Sequence, residues 1–172
     1  ISVPTETILF NVDKKSGINK DKTAILKVFA KVFYQHMGFE GNDLKVAKLE
    51  QFITNSGKME EFAAKFEEVN GGTWLDSRDS YIFFEDDIVE CLVDVLGMSE
   101  TAAHNWFNGT ETADISIGQL VAEIKKYIDS KGSDNSLIFM VDEVGQYIGS
   151  DGDLMLNLQN IVEEIGSKCG GR

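Results

Sequence analysis

The sequence predicts a mostly helical α/β chain in which two parallel strands, far apart in sequence, frame a long helical stretch. Three observations lead there. Residues 5–13 (TETILFNVD) and 135–142 (NSLIFMVD) are short apolar runs bounded by polar residues, the composition of strands buried in a parallel sheet. Between them, apolar residues recur at three- and four-residue spacing, the period of a helix. After the second run comes an amphipathic segment that two glycines close. The expected division is a first core strand in 1–14, a helical insertion subdomain in 15–134, and a second strand with its helix in 135–172. Two strands make an incomplete sheet, and the intervening stretch exceeds an ordinary crossover, so it is expected to form a subdomain.

The elements follow in order. In the first strand Ile8, Leu9, Phe10 and Val12 leave little polar face, which predicts burial on both sides. The first helix carries Ile25, Val28, Phe29, Val32 and Phe33 on one side and stops near Gly38. A second helix follows an N-cap candidate around residues 42–43, with Leu44, Ala47, Leu49, Phe52 and Ile53 roughly aligned. Met59, Phe62, Ala63 and Phe66 mark a third that ends at Gly71–Gly72. Residues 86–99 and 99–109 read as a helical pair, with Ser99 capping the second member. Ile117, Leu120, Val121, Ile124 and Ile128 give the cleanest periodicity in the chain. The last helix places Leu154, Leu158, Ile161, Val162 and Ile165 inside, with Ser150 or Asp151 as its cap. Met, Phe and Trp along these helices are read as core.

Composition narrows the function classes. The chain has 172 residues, 42% hydrophobic, with one proline, enough to bury a core. Sixteen basic against 29 acidic residues leave a net charge of −13, which repels nucleic-acid backbones and suits a basic partner. Cys91 and Cys169 form no CxxC, so neither a disulfide framework nor a zinc site is expected, and a cytoplasmic setting follows. No apolar run has membrane-spanning length, and no signal-peptide layout opens the chain. Its start, ISVPTETILF, lacks Met and reads as that of an internal or processed piece.

The chemistry concentrates in residues 136–149, SLIFMVDEVGQYIG. An apolar strand ending in Asp-Glu has the layout of a Walker B motif. There Asp142 faces a nucleotide-bound Mg²⁺, and Glu143 polarises the water that attacks the γ-phosphate. The same pattern also describes an acidic strand end turned to solvent, and the motif alone leaves both readings open. The nearest approach to a phosphate-binding loop, residues 17–23 (GINKDKT), has Asp21 where GxxxxGK[ST] needs its second glycine. Its side chain and charge exclude a phosphate there. SDGD at 150–153 lacks the alternating oxygen ligands of a calcium loop and reads as a helix cap. His36 and His104 have no carboxylate or Cys at ligand spacing and are read as ordinary surface or boundary residues. Cys169 beside Lys168 has a thiol that the lysine is expected to acidify slightly.

Residues 137–172, through DEVGQYIG and LMLNLQNIVEE, resemble the Walker B region of BrxC-type P-loop ATPases of the BREX phage-defence system. TETILFNVDKKSG followed by AILKVFAKVFYQHMGF resembles the segment downstream of that family's Walker A motif. The resemblance implies a partial AAA+-like sheet whose two strands pair in parallel, with Asp142 on Mg²⁺ and Glu143 as the hydrolytic base. It implies ATP and Mg²⁺ as cofactors of the full-length protein, none for this chain alone, and ATP hydrolysis in antiviral defence. It also implies other BREX proteins as partners, with oligomerisation open. The rival reading is a non-enzymatic helical interaction module.

Overall fold

The computed structural model describes residues 4–12, 23–109 and 115–172. The near-match to a phosphate loop at 17–23 therefore lies, except for Thr23, outside the described residues. The described chain is mostly helical with one two-stranded parallel sheet, and it divides into two compact units, residues 1–37 with 115–172 and residues 38–114.

In the first unit, strand β1 (Thr5–Asn11) pairs in parallel with β2 (Ser136–Asp142), in a register running from Thr5 opposite Ser136 to Asn11 opposite Asp142. Helix α1 (Ala24–His36) packs on the sheet through Phe29, whose ring meets Phe10 edge-on at 5.2 Å and Phe139 at 5.4 Å. Helix α7 (Ile117–Lys131) joins α1 through an edge contact between Phe33 and Tyr127 and a 2.6 Å hydrogen bond from the Tyr34 hydroxyl to Glu123. Ser116 and Gln119 form a capping box at its start, satisfying two otherwise orphaned donors. After the short α8 (Val144–Ile148), helix α9 (Gly152–Cys169) begins at Asp151, whose carboxylate accepts from the backbone of Asp153 and Leu154. Asn157 on α9 accepts from the backbone of Leu26, tying α9 to α1.

The sheet is not buried on both faces. Ile8, Phe10, Leu137, Phe139 and Val141 turn toward the helices, whereas Leu9, at 71% exposure, Ile138 and Met140 face outward and stand exposed. Strand side chains alternate between faces, and the described helices supply cover for one of them. The unit boundaries also differ from a division at 14 and 134. The aromatic contacts of α1 and α7 bind both helices to the sheet unit, so the separate unit is confined to 38–114.

The second unit is wholly helical among its described residues. It comprises α2 (Leu44–Asn55), α3 (Met59–Asn70), α4 (Trp74–Ser77) with a 3-10 turn (Arg78–Phe83), α5 (Glu85–Leu96) and α6 (Glu100–Asn108). Asp43, Thr73 and Ser99 cap α2, α4 and α6 through side-chain acceptors. Gly71 and Gly97 end α3 and α5 in the left-handed conformation that favours glycine. The core gathers Ile53, Phe62, Phe66, Trp74, Ile88 and Leu92, with Trp74 edge-on to both Phe62 and Phe66. Cys91 is buried here and Cys169 in the sheet unit, and both are free.

Candidate functional site at the strand ends

Parallel pairing brings the carboxyl ends of β1 and β2 to the same edge of the sheet, the edge where ligands bind in parallel α/β sheets. Asn11 closes β1 and Asp142 closes β2, directly opposite each other in the register. Glu143 follows at once and caps α8 with φ 57° and ψ 17°. It is the sole non-glycine residue with positive φ among the described residues. Holding a glutamate in the left-handed region costs about 1 kcal/mol, so the surrounding structure must enforce it.

Four hydrogen bonds define that enforcement. The Glu143 backbone N–H donates to Asp142 Oδ1 at 2.8 Å, which turns the chain sharply at the end of the strand. The Glu143 carbonyl accepts from the backbone of Gln146 and Tyr147, closing the first turn of α8. Asn11 Nδ2 donates to Glu143 Oε2, linking the end of β1 to the acid. Asp142 and Glu143 are both exposed, and Tyr147 is buried, which removes it from the solvent-facing edge.

The sequence reading thus located both acids, and the fold brings them together with a residue that it missed. Asn11 carries no motif of its own. Its place opposite Asp142 follows once the two seven-residue strands are set in parallel register. Among the described residues no group of three or more His, Cys, Asp or Glu is arranged to hold a metal ion. One exposed carboxylate nevertheless fits Mg²⁺, which keeps most of its waters and takes one or two protein carboxylates beside phosphate oxygens. A groove of about 550 Å³ runs between β2 and α9, lined by Phe139, Val141, Leu158, Val162 and Ile165, and neither acid lines it.

Two other charged clusters hold the fold together. On β1, Glu6 Oε2 accepts from the Tyr127 hydroxyl and contacts His36 Nε2, both at 2.6 Å, while Oε1 pairs with Lys131 at 3.2 Å. These partners, Tyr127 and His36 foremost, hold the Glu6 carboxyl down at about 2. In the helical unit, buried Glu50 accepts from Trp74 Nε1 at 2.7 Å, Arg78 at 3.1 Å and the Glu40 backbone at 2.5 Å. Burial, then the neighbouring Asp79, pushes the Glu40 carboxyl above its ordinary value.

Three smaller readings are settled by the same geometry. His36 and His104 are half-buried boundary residues, as read, and each meets a carboxylate in the fold, Glu6 for His36 and Glu85 at 3.1 Å for His104. Each partner lies distant in sequence, so ligand spacing could not disclose it. Burial raises the Cys169 thiol, the opposite of the acidifying effect expected from Lys168. Asp151 acts as a helix cap, as read from SDGD. Among the described residues no helix is long and apolar enough to cross a membrane.

The fold and its strand-end acids define a mostly helical α/β protein with a two-stranded parallel sheet. No protein-family model matches the chain, and no solved structure matches it.

Proposed function

We propose that the chain carries the Walker B half of a P-loop, AAA+-like ATPase site, in a BrxC-type protein acting in BREX phage defence. The observation that supports this most is the convergence of Asn11, Asp142 and Glu143 at the carboxyl edge of a parallel strand pair. In this reading Asp142 takes the Mg²⁺ that accompanies ATP, and the ion neutralises charge on the phosphate oxygens. Glu143 orients and polarises the attacking water, and Asn11 holds the Glu143 carboxylate in place until a nucleotide is bound. The left-handed backbone at Glu143 fits this role, because backbone strain persists where a side chain must be aimed.

No stretch of the sequence matches GxxxxGK[ST], so the phosphate cradle has to come from residues other than these 172. Calorimetry on this chain alone is expected to show no Mg²⁺-dependent ATP binding, and tight binding would overturn that part of the reading. In the parent ATPase, Asp142→Asn is expected to weaken the Mg²⁺ dependence of ATP binding. An unchanged Mg²⁺ dependence would remove Asp142 from the metal site, whereas no ATP binding by the unsubstituted protein would favour the non-enzymatic interaction module.

A further inference from the structure

The negative charge of this protein sits almost wholly in one unit. Residues 38–114 hold 17 Asp and Glu against five Lys and Arg, a net −12 of the chain's −13. Four of those five cations are already engaged inside the unit. Lys45 donates to the carbonyls of Phe107 and Gly109, and Lys58 to Val95 and Glu61. Lys65 pairs with Glu90 and Asp94, and Arg78 with Glu50. The outward field of the unit is therefore set by carboxylates.

One stretch of this unit also exposes large apolar side chains. From α4 through the 3-10 turn, Trp74, Ser77, Tyr81 and Phe84 turn toward the core at three- and four-residue spacing. The other side of the same stretch leaves Leu75 at 66% exposure, Ile82 at 60% and Phe83 at 78%. Leu75 belongs to α4 and Ile82 and Phe83 to the 3-10 turn, with exposed Asp79 between them in the sequence. Asp76 and Asp86 are exposed on either side. Three large apolar residues this exposed within nine positions mark an interaction surface rather than scattered surface residues.

We propose that this stretch docks a basic, amphipathic segment of another protein, with large apolar anchors flanked by Lys and Arg. Leu75, Ile82 and Phe83 supply the area that such anchors bury, and the carboxylates select the sign of the partner and hasten its encounter. A second copy presents the same −12 and is repelled, and so is a nucleic acid.

The probe is a synthetic Leu/Lys amphipathic peptide, compared with the same peptide carrying Glu for Lys, followed by fluorescence anisotropy against the 172-residue chain. The Lys peptide is expected to bind, and to bind less tightly as salt rises. The triple variant Leu75→Ser/Ile82→Ser/Phe83→Ser is expected to lose about 10-fold or more in affinity with an unchanged melting temperature. Leu9→Ser/Met140→Ser, on the exposed sheet face, should bind like the parent chain, and the Glu peptide should not bind. Equal binding by the triple variant, loss of binding in the sheet-face variant, or binding of the Glu peptide would each overturn the proposal. Light scattering that shows a dimer dispersed by the triple variant would also overturn it, in favour of a second copy.

Discussion

Removing Glu50 should undo the helical unit more thoroughly than any other single polar substitution in that unit. Its carboxylate is 2% exposed and accepts from three donors at once: the Trp74 indole, the Arg78 guanidinium and the Glu40 backbone. Glu50→Ala leaves all three without that acceptor, and a buried donor left unsatisfied costs about 1–3 kcal/mol. Truncating one partner of a buried ion pair costs about 3–5 kcal/mol, and the two figures overlap because they count the same desolvated groups. Arg78 keeps its approach to Glu40 at 3.8 Å and to the Gly38 carbonyl, which caps the total. The expected loss is therefore about 3–5 kcal/mol, with Glu50→Gln falling short of it because the amide oxygen still accepts. Both tryptophans, Trp74 and Trp106, lie in this unit, so urea unfolding followed by tryptophan fluorescence reports on it directly. The midpoint should fall by about 1–3 M at an unchanged slope. A loss below about 1 kcal/mol for Glu50→Ala would refute the reasoning, because it would mean the three donors find water or other acceptors without cost.

Three further outcomes follow from the sheet unit. The Glu6 carboxyl is depressed to about 2 from an ordinary 4.5, so its stabilisation is complete above about pH 4.5 and is lost as pH falls toward 2. With the side chain 34% exposed, solvent screening trims this to about 1 kcal/mol. Acid titration of Glu6→Gln should show the parent's advantage vanishing across that window, and an advantage that persists at pH 2 would contradict it. Phe10→Ala should cost about 3–5 kcal/mol and Leu9→Ser less than about 1, although the two are adjacent in sequence. Equal costs in chemical denaturation would mean that the outward face is covered. Glu143→Gly should raise stability by about 0.5–1 kcal/mol by relieving the left-handed backbone, and a loss in thermal unfolding would show that no strain resides there.

The apolar periodicity of 117–128 made α7 legible, and the side-chain oxygens of Ser99 and Asp151 marked the starts of α6 and α9. The parallel pairing of the strands was also anticipated, from the resemblance. Other features needed the third dimension. A continuous apolar run cannot tell whether its second face is covered, so the exposure of Leu9 and Met140 was hidden. The stretch from Trp74 to Phe83 is four residues of α-helix and a 3-10 turn, too short to show a period. Asn11 is an unremarkable polar residue until register sets it opposite Asp142. The carboxylate partners of His36 and His104 are likewise visible only in the folded chain.

The most direct test of the proposed ATPase reading is Glu143→Gln in the full-length protein that the reading proposes, with ATP binding and steady-state hydrolysis measured on the same preparation. The substitution keeps the shape of the side chain and an oxygen that Asn11 can reach, while removing the charge that the proposed mechanism uses to polarise water. The account predicts that turnover falls by about 10²-fold or more while ATP affinity stays within a few-fold of the unsubstituted protein. Turnover that survives Glu143→Gln would contradict it, and would leave Asp142 and Glu143 as the acidic end of a strand.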